Sequence, residues 1–302
     1  MIRRPPRSTQ GVSSAASDVY KRQILYSFQH QFHQQSREDH HPLLRLGTTT
    51  SLFETGIWDI LEPLFEDYYS VELDIVVGGT GQTLEYGLSG NVDVIIVHDQ
   101  PRERKFVSDG YGIKRNTFAY NNYVIIGPAH DPSDVASMTV KGAMAKIMDM
   151  GMQKPDAVRF VSRGDNSGTH SREQDFWKDQ GHDYETVRNS GPWYIESGSG
   201  MGTTLVIADQ KSAYTLVPDS TYLAYGATLE LVILAGEETP IVNPYSAIII
   251  DPNRYPHINE TSATDFIEFL YSTEVQKIID AYGVDLYGAP IFRSFMAHQN
   301  LK

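Results

Sequence analysis

The chain has 302 residues, 40% of them hydrophobic, and a formal net charge of −13: enough core for one large lobe or two medium ones, and the wrong sign for nucleic acid or an anionic membrane. The absence of cysteine excludes disulfides, thiolate catalysis and zinc–thiolate centres. The longest apolar runs, such as Val92–Val97 and Leu231–Leu234, are strand-sized and far too short to span a bilayer as a helix.

Residues 1–42 read as a leader outside the fold. Met1–Gln23 has no hydrophobic period and no apolar h-region, and reads as adapter-derived, non-native sequence, with a disordered basic tail as the alternative. His30, His33, His40 and His41 lack regular ligand spacing and are read as part of a polar linker, not a metal tract. Order is expected from Leu43. Leu43–Leu46 is a strand ending in Gly47-Thr48-Thr49-Thr50-Ser51, and Ile57, Leu61, Leu64, Phe65 and Tyr68 recur at helical spacing. Val71–Val77 is a second strand, running into Gly78-Gly79-Thr80-Gly81-Gln82 and a helix over Leu84–Leu88. The Gly79-x-Gly81 pair fails as a dinucleotide fingerprint because Leu84 stands where the third glycine belongs.

Val92–Val97 is a buried strand followed by His98-Asp99, which reads either as cleft lining or as a hydrogen-bonded strand end. A short helix over Glu103–Gly110 and a strand over Tyr123–Ile126 come next, then a helix over Val140–Met150 with Gly151 past its end. Strands over Ala213–Val217, Leu229–Leu234 and Tyr245–Ile250 precede one long amphipathic helix, Ala263–Tyr282. This alternation predicts an α/β chain with largely parallel sheets and ligand chemistry at the strand C-terminal ends. Asn259-Glu260-Thr261 is a glycosylation sequon by pattern.

The most informative stretch is Phe160–Trp177, FVSRGDNSGTHSREQDFW. An apolar run ends in a turn holding Ser162, Arg163, Asp165, Asn166, Ser167, Gly168 and Thr169, and a helix follows. Such a turn gathers backbone N–H groups, hydroxyls and a helix N-terminus, with Arg163 as a forked cation. It supports either an oxyanion site or a plain N-cap with a surface helix. Ser197–Thr204 is a fourth turn of the same composition. Together these turns make a neutral donor cage with one cation, which suits a tetrahedral oxyanion. Enzyme signatures are missing: no G-x-S-x-G, H-E-x-x-H or Walker A run occurs, no base–nucleophile pair is evident, and His170 beside Ser167 reads as a capping or surface residue. Trp58, Trp177 and Trp193 are assigned to packing.

LGTTTS (Leu46–Ser51), GGTGQ (Gly78–Gln82), DVIIVHD (Asp93–Asp99), FVSRGDNSGTH (Phe160–His170), SGSGMGTTL (Ser197–Leu205), AYTLVPDSTYLAY (Ala213–Tyr225) and NPYSAI (Asn243–Ile248) together resemble the tungstate-binding proteins of ABC transporters, a family of extracellular solute-binding proteins. The resemblance runs from Leu43 to about Tyr287. It implies a type II periplasmic-binding-protein fold: an α/β lobe of residues 43–125 plus 243–295, a second of 126–242, crossing hinge strands near Tyr120–Gly127 and Pro244–Ile250, and a tail of 296–302. It places the oxyanion on Thr49, Thr50, Ser51, Arg163 and Thr169. Turn geometry adds Thr80, Gly81, Ser167 and Gly168 as donors. Asn166 stands where the family commonly has Asp. The implied ligand is tungstate or molybdate, with no cofactor, no cation ligands and no catalytic residues. The implied partners are ABC permease subunits, the state is monomeric, and the location is periplasmic or extracellular, although no export signal is legible at this N-terminus. Two alternatives stay open: an oxyanion sensor on the same fold, and an enzyme acting on a phosphate or sulfate ester.

Overall fold

The computed structural model describes residues 41–295; the expectations for the leader before His41 and for the 296–302 tail lie outside the described residues. The order is β1 (Leu43–Thr49), α1 (Thr50–Phe53), α2 (Trp58–Tyr69), β2 (Glu72–Gly78), α3 (Thr80–Leu88), β3 (Val94–Val97), α4 (Gln100–Ser108) and β4 (Gly112–Pro128). It continues with α5 (Val140–Gln153), β5 (Phe160–Ser162), α6 (Gly168–Asp179), α7 (Tyr184–Arg188), β6 (Tyr194–Glu196), α8 (Met201–Gln210), β7 (Thr215–Pro218) and α9 (Asp219–Tyr225). The last elements are β8 (Leu231–Ala235), β9 (Ile241–Ile250), α10 (Glu260–Tyr271), α11 (Thr273–Ala281), α12 (Val284–Tyr287) and β10 (Arg293–Ser294).

The main sheet has the order β10-β4-β9-β3-β1-β2, with β7 and β8 also paired to β4. Strands β1, β2 and β3 are mutually parallel, as βαβ crossovers require, but β9 runs antiparallel to both β3 and β4, and β4 is antiparallel to β7, β8 and β10. The sheet is therefore mixed, not largely parallel. The cause is β4, whose 17 residues pair with β9 along Gly112–Tyr123 and with β7 and β8 along Tyr123–Pro128. Lys114, Arg115, Asn116, Asn121 and Asn122 hid its first half from an apolar-period reading. Asn116 and Asn121 are buried with their amides hydrogen-bonded, to Ala247 O and Ser220 Oγ respectively.

These long strands link separate cores. One core draws its buried members from residues 44–119 and 245–292, with Trp58 stacked on Phe266 at 6.1 Å. A second draws on 123–235 and holds Trp177 and Trp193 edge to face at 6.4 Å. All three tryptophans are packing residues, each at most 2% exposed. The expected long C-terminal helix is two helices. Ser272, extended at φ −60° and ψ 145°, ends α10 and caps α11 by accepting from Val275 N at 3.3 Å. Asn259 is the N-cap of α10, and its amide nitrogen donates to Leu43 O at 3.2 Å. Gly151 lies inside α5, not past its end. A Cβ there would sit 2.8 Å from the Trp193 indole, so this glycine lets the ring pack on the helix backbone.

Two carboxylates are enclosed in this frame. Glu103 Oε2 accepts from Arg115 Nε at 2.5 Å. Glu173 accepts from Ser162 Oγ (2.7 Å), Trp177 Nε1 (3.0 Å) and Tyr194 OH (2.5 Å). Burial raises both groups from 4.5 to about 7, against the pull of those hydrogen bonds.

Gly151→Ala is expected to destabilise the fold by about 1–3 kcal/mol through overpacking, read as a lower urea midpoint. A raised carboxyl pKa favours the folded state fully below the unfolded value and loses that contribution as pH rises through about 7. The parent should therefore lose thermal stability relative to Glu173→Gln between pH 5 and pH 8. A relative gain over that interval would contradict the buried-acid assignment.

Candidate functional site

The first turn forms because β1 ends in threonines that are extended and buried between strands. Thr49 is the N-cap of α1, and no side chain caps that helix start, so its first-turn N–H groups have no side-chain acceptor there. Thr48 Oγ1 is buried with no hydrogen-bond partner. Ser51 Oγ lies 3.4 Å from Thr49 Oγ1 and 3.3 Å from His98 Nε2. The Thr50 hydroxyl donates to Gly78 O at 3.1 Å, which leaves its N–H as the group it can offer a ligand. In the second turn Gly79 starts α3, again without a side-chain cap, and Gly81 faces open space.

The third turn is held more elaborately. Gly164 (φ 60°) and Asn166 (φ 57°) are both left-handed, and a Cβ on Gly164 would meet Glu196 at 2.7 Å. Ser162 Oγ donates to Glu173 and accepts from Gly164 N at 3.2 Å, so the buried carboxylate of α6 fixes the start of the turn. Arg163 is 6% exposed; its Nη2 meets Asp165 Oδ2 at 2.5 Å, while its Nε has no partner. Asp165 Oδ1 also accepts from Ser167 N at 3.1 Å, so this acid both pairs with Arg163 and ties the turn. The Ser167 side chain caps α6 through His170 N at 3.3 Å. Thr169 Oγ1 is buried beside the Tyr123 hydroxyl without a hydrogen bond of normal geometry.

His170 is a buried strut and not a surface residue. Its Nδ1 accepts from Asn166 N at 3.0 Å and its Nε2 meets Tyr184 OH at 2.7 Å, while Tyr184 donates to Glu196. With its ring lone pair committed and its pKa lowered by burial, it is no base for Ser167. The fourth turn acts as a buttress. Ser197 Oγ bonds Arg163 O (3.1 Å) and Thr204 Oγ1 (2.7 Å), and Ser197 N donates to Ser162 O (2.9 Å).

The third turn meets the second directly and the first across His98. Gly168 N donates to Thr80 Oγ1 at 2.9 Å, Arg102 Nη1 donates to Asn166 O at 2.9 Å, and a Cβ on Gly168 would strike the His98 ring at 2.9 Å. Glu54, the C-cap of α1, faces Arg163; burial raises its pKa and Arg163 opposes that rise. A cleft of ≈ 380 Å³ runs along Glu54, Gly200, Thr203 and Tyr225, and a cavity of ≈ 100 Å³ is lined by His98, Tyr123, Gly168 and Asn243; Thr49, Ser51, Arg163 and Thr169 line neither. His98 serves both roles weighed for it: it ends β3 and it reaches the site. Its Nδ1 lies 3.1 Å from Asn243 Oδ1 and its ring stacks on Tyr245 at 4.9 Å. Contrary to the sequence reading, a Ser51–His98–Asn243 row does exist. Burial lowers the imidazole to about 4, too weak a base for a nucleophile at neutral pH but well suited to orienting a hydroxyl.

The site thus joins uncapped N–H groups, hydroxyls and one guanidinium. Thr48 Oγ1, Arg163 Nε and Thr169 Oγ1 are buried and unsatisfied, at about 1–3 kcal/mol each. Hydroxyls, amides and guanidinium are the donor set for an acceptor-only anion. Glu54, Glu173, Tyr123, Asn243 and Asn121 escaped the sequence reading as site residues, although Glu173 lay in the quoted stretch FVSRGDNSGTHSREQDFW and Asn243 in NPYSAI.

A family model described as a PBP superfamily domain matches residues 32–274. The tungstate-binding protein TupA of Peptoclostridium acidaminophilum is 36% identical over 247 residues, 82% of this chain and 84% of that protein. Among solved structures, the tungstate ABC transporter from Geobacter sulfurreducens shares 39% identity with a TM-score of 0.70, over 80% of this chain and 98% of that one. The tungstate binding protein TupA from Desulfovibrio alaskensis G20 shares 36% identity with a TM-score of 0.72, over 84% and 98%. With hydroxyl-rich strand–helix turns after β1 and β2 of the mixed sheet and after β5 and β6 of a separate parallel pair, and with relatives matched over most of both lengths, this chain belongs to the TupA family of solute-binding proteins, within the PBP superfamily.

Proposed function

We propose that the chain captures a tetrahedral oxyanion, tungstate ahead of molybdate, and delivers it to the permease of an ABC transporter. The observation that carries this reading is the set of buried, unpartnered polar atoms Thr48 Oγ1, Arg163 Nε and Thr169 Oγ1 on turns that touch across His98 and Gly168. Arg163 supplies the charge partner. Thr49, Thr50 and Ser51 supply first-turn N–H groups and hydroxyls, and Thr169 supplies a hydroxyl. Thr80, Gly81, Ser167 and Gly168 complete the cage, with Thr80 and Gly168 also bonding each other. Residues 43–125 plus 243–295 form one lobe and 126–242 the other, in line with cores drawn from 44–119 with 245–292 and from 123–235. β4 and β9 are then the crossings on which the lobes close. The names of the relatives support uptake, with the protein outside the cytoplasmic membrane.

Calorimetry with tungstate, molybdate, sulfate and phosphate tests the reading. Tungstate is expected to bind most tightly. Arg163→Ala and Thr169→Val should each weaken it roughly 10- to 150-fold, the value of about 1.5–3 kcal/mol for a hydrogen bond to a charged group. No heat with any of the four anions would overturn the proposal.

A further inference from the structure

The Ser51 hydroxyl faces the wrong way for a dianion, and the reason lies in the hinge strands. Asn243 Nδ2 donates to Asn121 Oδ1 at 2.8 Å, and Asn243 Oδ1 accepts from Tyr123 OH at 2.9 Å. The atom of Asn243 that meets His98 Nδ1, at 3.1 Å, is therefore a carbonyl oxygen, so Nδ1 carries the imidazole hydrogen. The neutral ring then has a bare lone pair at Nε2, 3.3 Å from Ser51 Oγ; of the two acceptors in reach of the Ser51 hydrogen, this nitrogen is nearer and more basic than Thr49 Oγ1 at 3.4 Å, and Ser51 donates to it. The oxygen lone pairs of Ser51 are what remain for the cage. A fully deprotonated oxyanion, which only accepts, is repelled by them.

We propose that His98 takes up one proton from solvent when a fully deprotonated oxyanion enters the cage. Nε2 then donates to Ser51 Oγ, and the Ser51 hydrogen turns to the ligand. The inference rests on the oxyanion reading of the site. Charges around the ring support it. In this structure burial, aided by Arg163, holds the imidazole neutral, at about 4, against the opposing Asn243 hydrogen bond and Asp99. Tyr245 of β9 stacks on the ring, and Tyr123 of β4 shares the Asn243 oxygen with it; burial raises both tyrosines, so they stay uncharged. Arg104, Arg172 and Asp175 line the cavity that His98 and Gly168 also border. A dianion beside Arg163 more than offsets the one cation on the cage side, and the imidazolium becomes the favoured form. Hydrogen phosphate brings its own proton and can donate to Ser51 directly, so it has no need of the uptake. His98 is thus a positioning residue that separates proton-free from proton-bearing tetrahedral anions.

The test is calorimetry of tungstate at pH 7.5 in buffers of low and high ionisation enthalpy. The expected result is uptake of about one proton per anion, with affinity falling about tenfold per pH unit above neutrality until the imidazolium titrates. His98→Gln, which cannot be protonated, should bind with neither proton uptake nor pH slope. Ser51→Ala, which keeps the imidazole but removes the hydroxyl it orients, should bind more weakly and take up far less than one proton. Tungstate binding that depends on Arg163 but gives the same enthalpy in both buffers would overturn the proposal and leave the oxyanion reading standing. Full uptake retained in Ser51→Ala would also overturn it. Absence of tungstate binding altogether would overturn the reading beneath it.

Discussion

A buried guanidinium sets the terms for the rest of the site. Removing the Arg163 charge from water is costly, and a buried ion is retained only where partners replace its hydration. Asp165 supplies one such partner at 2.5 Å, on Nη2, and leaves Nε unsatisfied. Because the compensation is partial, the backbone around Arg163 has to be held from outside. Glu173 grips Ser162, Ser197 grips the Arg163 carbonyl, and the His170–Tyr184–Glu196 row grips Asn166. Two successive left-handed turns at Gly164 and Asn166 would not persist without these supports. What resembles redundancy in hydrogen bonding is the machinery that fixes one cation with one donor unpaired.

The same logic extends to the long strands. A polar network of Asn121, Tyr123, Asn243 and Tyr245 is buried where β4 and β9 run side by side, at the point where the buried core membership changes. Apolar packing there would bind the cores as firmly but without direction. Hydrogen bonds have polarity, and this network passes its polarity through His98 to Ser51. The paired strands β4 and β9 and the turn that holds Ser51 therefore share a single chain of donors and acceptors.

Local chemistry was legible in the sequence wherever it was local in cause. The turns at 47–51, 78–82, 162–169 and 197–204 were visible because Gly, Ser and Thr after an apolar strand mark a helix start whatever surrounds it. What failed depended on partners distant in sequence. The first half of β4 was missed because its buried asparagines are satisfied by residues about a hundred or more positions away. Gly151 reads as a helix stop until Trp193 is placed against it. The mixed sheet stayed hidden for the same reason, since strand direction is set by how β9 returns between β3 and β4, not by any feature of Tyr245–Ile250. Ser272 is the exception: a serine followed by Thr-Glu-Val is a local cap signal, masked by apolar residues that continue at helical spacing on both sides.

The two classes of contact between the facing turns differ in a way that bears on selectivity. Arg102 with Asn166 is an exposed bond that water can replace at little cost, and Thr80 with Gly168 is buried but satisfied. Toward the middle, Thr48, Arg163 and Thr169 hold polar atoms that no neighbour satisfies. A bound anion gains most where those atoms gain most, so its affinity is set by how well its oxygens reach the three unsatisfied groups together. Anions equal in charge then separate by reach alone. An ion with shorter bonds to oxygen leaves at least one buried donor unmade, at a cost of about 1–3 kcal/mol, or about 5- to 150-fold in affinity. If the site takes an oxyanion as proposed, the cage would discriminate strongly against sulfate and only weakly between tungstate and molybdate, whose oxygens lie at nearly the same distance from the centre.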